Sequence, residues 1–140
     1  ELKKPARANG IDLIYLLAPT TPIERSRTVA RSASGFLYYV SVTGVTGARA
    51  SLDSDLAAHM RDIRSVTDLP VGVGFGISTP AQAAEVAAIA DAVVVGSAIS
   101  LLVEANAKSG NVLEAVGGLV GSMKQAMKSA RRTEHAVAES

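Results

Sequence analysis

Four stretches of the chain are apolar at successive positions: Asp12 to Leu17, Phe36 to Ser41, Val71 to Phe75 and Ala92 to Gly96. Each ends in, or is soon followed by, Gly, Pro, Ser or Thr. A strand that is apolar on both sides expects cover on both faces, as in parallel sheets. Between these stretches the apolar period becomes helical. Thr21-Pro22-Ile23-Glu24 places a Thr N-cap before a Pro at the first helical position, with Glu three residues past the cap. That order predicts a helix to about Ser32. Thr79-Pro80-Ala81-Gln82 repeats the device and predicts a helix to about Ile89. Leu52, Leu56, Met60 and Ile63 fall at helical spacing, and Asp68-Leu69-Pro70 closes that segment. Asn111 with Glu114 opens a last helix, along which Val116, Val120, Met123 and Met127 form one apolar stripe that reads as core packing. The polar tail from Arg131 to Ser140 is expected to fray.

The predicted order is a helix end, then βα four times, with an extra helix in the last unit. Repeated βα units make a parallel sheet with right-handed crossovers. A full (β/α)₈ barrel takes about 250 residues, and the chain has 140. The expected fold class is therefore α/β, about half of a TIM barrel, with residues 1–140 read as one domain. A small open doubly wound sheet is the other architecture these units allow. The chain begins Glu1-Leu2-Lys3-Lys4-Pro5, without Met and as if inside a helix, so a piece of a longer protein is expected.

Composition narrows the functional classes. Apolar residues at 48% and charged residues at 19% allow a real core, and aromatics at 4% make it an aliphatic one. A net charge of +1, with Lys and Arg scattered among acids, gives no warrant for nucleic acid. The absence of Cys excludes a disulfide framework, a thiolate metal site and a Cys nucleophile, and fits a reducing cytoplasm. No apolar run approaches the roughly 18 residues of a membrane span, and the N-terminus lacks the apolar core of a signal peptide.

The candidate chemistry lies at the strand ends. Val71-Gly72-Val73-Gly74-Phe75-Gly76-Ile77-Ser78 aligns with Val93-Val94-Val95-Gly96-Ser97-Ala98-Ile99-Ser100 at a period of 22. Both run a β-branched strand into Gly and then into Ile-Ser. Glycines admit backbone N–H groups close to an anion, and a helix N-terminus adds free N–H groups and partial positive charge. Gly74, Gly76, Gly96 and Ser97, with a short helix from Ser97 to about Ala105, therefore form a phosphate-site candidate. The plainer reading is tight strand-to-helix turns. A second candidate is Ser41-Val42-Thr43-Gly44-Val45-Thr46-Gly47-Ala48-Arg49, long enough to be a binding loop or lid rather than a linker. Arg49 reads as solvated, or as a contact for an anionic substrate. Tyr38 and Tyr39 are adjacent on a strand and point to opposite faces, so one of them can reach a ligand at the strand end. His59 and His135 have no partner at motif spacing and read as surface residues.

These motifs together resemble the tryptophan synthase α subunit family. The resemblance runs from about Gly10 to Ala130. It is carried by Leu16-Leu17-Ala18-Pro19-Thr20, Gly35-Phe36-Leu37-Tyr38-Tyr39-Val40-Ser41, Gly44-Val45-Thr46-Gly47-Ala48-Arg49, Asp68-Leu69-Pro70-Val71, Gly74-Phe75-Gly76-Ile77-Ser78 and Val94-Val95-Gly96-Ser97-Ala98. It implies a (β/α)₈ barrel that cleaves indole-3-glycerol phosphate to indole and glyceraldehyde 3-phosphate, a retro-aldol step with no metal or organic cofactor. It further implies phosphate on Gly47, Gly76, Gly96 and Ser97, and Tyr38 as the active-site tyrosine. Phe75 and Val94 would wall the indole pocket, and Thr46 would meet a catalytic aspartate on loop closure. The family partner is a β subunit.

The family's acid/base Glu and Asp come from the other half of the barrel, and neither motif is in this sequence. Three readings stand at this point. One is the lyase, represented by its phosphate half. The second is an inactive half-barrel that keeps an anion site and associates with itself. The third is another phosphate-binding barrel enzyme, against which the Gly-Val-Thr-Gly loop argues.

Overall fold

The computed structural model describes residues 2–41, 55–74 and 76–138, with side chains described as far as residue 130. Helix α1 (Lys3–Ala8) leads into β1 (Tyr15–Leu17), α2 (Ile23–Ala30), β2 (Leu37–Val40), α3 (Leu56–Arg64) and β3 (Val71–Gly74). Then follow α4 (Pro80–Ile89), β4 (Ala92–Val94), α5 (Ser97–Asn106) and α6 (Val112–Ala138). The four strands form one parallel sheet in the order β1-β2-β3-β4. Tyr15 pairs with Leu37, Leu37 with Val71, and Gly72 with Ala92, so each βα unit lies beside the next in sequence.

The strands are shorter than the apolar runs that announce them. Ladder pairing, not hydropathy, sets their ends. At β1, Leu13 lies before the ladder: its N–H donates to Ser34 Oγ at 3.1 Å and its carbonyl accepts from Ser34 N–H at 3.2 Å.

The two Thr-Pro starts behave differently. At Thr79 the capping box is complete: Thr79 Oγ1 accepts from Gln82 N–H, and Gln82 Oε1 accepts from Thr79 N–H. At Thr21 it does not form. Thr21 Oγ1 accepts instead from Ala18 N–H at 3.0 Å, closing the turn after β1, and the helix starts after Pro22. Glu24, free of any capping role, pairs with Arg27 at 3.0 Å.

The core lies on one face of the sheet. Leu17, Leu37, Tyr39, Val71 and Val73 point into it, against Ala30 of α2, Met60 and Ile63 of α3, Val86 of α4 and Met123 of α6. Cover on both faces, as the apolar runs imply, is not found among the described residues: Leu16, on the other face, is 64% exposed. Strand alternation places Ile14, Phe36, Tyr38, Val40 and Val94 with Leu16. Leu37 and Val73, by contrast, are fully buried under the helices.

On α6 the residues packed on the core are Leu119, Met123 and Met127, while Val120 is 45% exposed. The helix continues to Ala138, past the Arg131 where fraying is expected. Two Arg, two Ala and one Glu among residues 131–138 are good helix formers.

Candidate substrate cavity at the strand ends

The cavity is built where β3 and β4 hand over to helices. After β3, Gly76 has φ +74°, a left-handed conformation that favours glycine and turns the chain toward Thr79. After β4, Gly96 caps α5 and Ser97 is its first residue. The Gly96 carbonyl accepts from the N–H groups of Ile99 and Ser100, at 2.9 and 3.1 Å. The first N–H groups of such a helix have no carbonyl partner within it and point outward with the positive end of its dipole. A Cβ on Gly96 would meet no other atom within 4 Å, and its φ of −115° is open to any residue. Packing inside the described chain therefore does not demand glycine there.

Tyr38 reaches the same place from β2. Its hydroxyl lies over Gly74, and a Cβ at Gly74 would stand 2.8 Å from Tyr38 Cζ and 2.9 Å from Val94 Cβ. The bare strand at Gly74 lets the phenol cross β3 toward β4. Gly72 and Phe36 repeat the arrangement one layer lower, with an ordinary 3.4 Å approach.

Tyr38, Gly76, Val94, Gly96 and Ser97 surround one cavity of about 650 Å³. Leu102 of α5 and Leu119 of α6 also line it. Among the described residues, no lining side chain carries a charge. One end thus offers backbone donors, a hydroxyl and a helix dipole, and the other an apolar wall with a single phenol. Such a space suits an anion joined to an apolar body. Its described lining holds no carboxylate or imidazole to move a proton.

Gly47, Phe75 and Thr46, with Arg49, lie outside the described residues. Sequence reasoning missed the Leu102 and Leu119 wall. Leu119 was within reach, since it falls at helical spacing between Val116 and Met123. It also misplaced His59. This histidine is half-buried on α3, and Tyr39 OH lies 2.7 Å from its Nδ1. No short-range motif announces that contact, which spans twenty residues.

The sequence model for the tryptophan synthase alpha chain matches residues 1–128. The chain belongs to that family. Over 125 residues it is 53% identical to the tryptophan synthase alpha chain of Citrifermentans bemidjiense, covering 89% of this chain and 46% of that one. With the alpha chain of Geobacter sulfurreducens identity is 57% over 104 residues, covering 74% and 39%. Tryptophan synthase subunit alpha of Legionella pneumophila superposes with a TM-score of 0.76 at 34% identity, over 91% of this chain and 47% of that one. Tryptophan synthase of M. tuberculosis in its aminoacrylate-bound form gives 0.71 at 28%, over 90% and 43%. The chain spans about half the length of the curated relatives it matches. The parallel sheet with its helices is accordingly about half of a TIM barrel.

Proposed function

We propose that the chain is the phosphate-binding half of a lyase that cleaves indole-3-glycerol phosphate to indole and glyceraldehyde 3-phosphate. The observation that carries this reading is the convergence of Tyr38, Gly76, Val94, Gly96 and Ser97 on one cavity with a donor-rich end and an apolar end. The phosphate lies against Gly76, Gly96 and the α5 N-terminus, where Ser97 adds its hydroxyl. Tyr38 and Val94 face the indole. Gly47, Phe75 and Thr46 complete the set by family membership.

The retro-aldol step needs a group to protonate C3 of the indole and another to take the glycerol hydroxyl proton. Such transfers contribute typically 10²–10⁴-fold. The described lining offers no carboxylate for either, and by family membership the two carboxylates belong to the other half of the barrel. The 140-residue chain is expected to bind without turnover, and adding the complementary half in trans to restore activity. The reaction takes no cofactor. A β subunit is the partner of the whole enzyme, and a cytoplasmic location fits its chemistry.

The open face and the unpaired edges of β1 and β4 favour self-association of the isolated chain. Light scattering is expected to give at least twice the 14.3 kDa chain mass. A clean monomer at micromolar concentration rejects that part. The binding claim is tested by titrating phosphate while following amide chemical shifts. Gly76, Gly96 and Ser97 are expected to move first. If they stay still at millimolar phosphate while distant surface amides shift, the assignment is wrong.

A further inference from the structure

The Tyr39–His59 contact is a part-buried polar link between β2 and α3 that the proposed function does not use. Tyr39 is 1% exposed, its ring lies in the core, and its hydroxyl meets His59 Nδ1 at 2.7 Å. The rings are 5.9 Å apart and tilted by 43°, so the pair is held by its hydrogen bond rather than by stacking. The other links from α3 to the core, Leu56, Met60 and Ile63, are apolar and tolerate sliding or rotation. A directional polar contact fixes register where apolar contacts do not.

Tyr39 shares a peptide with Tyr38, whose ring stands on the opposite face of β2. Any rotation of β2 about its own axis moves the two rings in opposite senses and is largest at the hydroxyls. On the open face the Tyr38 hydroxyl has little slack, packed over Gly74 with Val94 beside it. On the covered face, His59 holds the far end of Tyr39.

We infer that Tyr39 and His59 are positioning residues that set the place of the Tyr38 hydroxyl in the cavity. The inference rests on the proposed role of Tyr38 against the substrate. It makes the pair specific to the apolar end. The described part of the donor end, Gly76, Gly96 and Ser97, is built from the β3 and β4 units.

The test uses the intact chain with Tyr39→Phe, which keeps the ring and removes the hydroxyl, and with His59→Leu and His59→Gln. Two probes are titrated: inorganic phosphate, and a 3-alkylindole carrying a terminal phosphate. Tyr39→Phe and His59→Leu are expected to weaken the indolyl phosphate about three- to ten-fold, the size of one net hydrogen bond. Inorganic phosphate is expected to stay within about two-fold. His59→Gln, which keeps a polar partner for the hydroxyl, is expected to recover most of the loss. Equal weakening of both probes means general loosening and overturns the inference, as does unchanged indolyl phosphate binding. If the parent chain binds neither probe, the proposed function falls, and the tyrosine ring signals decide the pair on their own. Tyr39→Phe then shifts the Tyr38 ring protons and leaves those of Tyr15 in place; unmoved Tyr38 signals reject it.

Discussion

Alternate residues of the same strands live in two different settings. On the covered face Leu17, Leu37, Tyr39, Val71 and Val73 are each 2% exposed or less. On the open face Leu16 is 64% exposed, and Tyr38, Val40 and Val94 are half-buried. The residue types scarcely differ. What differs is that α2, α3, α4 and α6 lie over one side only. The covered face answers to packing density, where every methylene counts. The open face answers to what approaches it from outside, and the cavity sits there.

The comparison can be broken most forcefully at β1 and β2. Leu37→Ala empties a fully buried site and is expected to cost about 2–5 kcal/mol in urea unfolding. Leu16→Ala, on the open face, is expected to stay within about 0.5 kcal/mol. Equal costs would mean that the open face is covered in solution, as self-association would make it. Next comes Gly74→Ala. Its methyl collides with Tyr38 and Val94, so overpacking is expected to cost about 1–3 kcal/mol and to displace the phenol. Gly96→Ala separates the two demands further: the space at that position is open. Stability is expected to hold within about 0.5 kcal/mol, while phosphate affinity falls in the same amide titration.

A smaller effect sharpens the reading of the caps. Thr79→Ala removes a formed capping box and is expected to cost about 1 kcal/mol. The smallest is Glu24→Ala. Its ion pair with Arg27 is exposed, and thermal unfolding should register well under 1 kcal/mol, less at high salt.

Much of this arrangement was legible in the sequence. Unbroken aliphatic runs located the strands, and the Gly-Ile-Ser and Gly-Ser endings located the donor-rich turns. What could not be read was which side of each strand faces the helices. Leu37-Tyr38-Tyr39-Val40 is apolar at every position, so no alternation tells Tyr38 from Tyr39. Only packing against α3 separates them. The two Thr-Pro starts are equally ambiguous as strings. Thr79 has Gln82 to reciprocate, whereas Thr21 is drawn back to Ala18 by the turn leaving β1. His59 failed for another reason: its partner is distant in sequence, and a lone histidine on a helix carries no spacing signal.

The strand order β1-β2-β3-β4 also bears on how the chain reaches its structure. Successive partners are 22 residues apart from Tyr15 to Leu37, 34 from Leu37 to Val71 and 20 from Gly72 to Ala92. The loop-closure entropies of such spans differ by only about half a kcal/mol. Topology therefore gives no strand pair a kinetic advantage, and side-chain burial decides which forms first. The β2–β3 pair joins Leu37, Tyr39, Val71 and Val73, all nearly inaccessible to water. Folding is expected to nucleate there and add β1 and β4 afterwards. Truncations of Val71 or Val73 should then slow folding, and truncations in β4 should mainly speed unfolding.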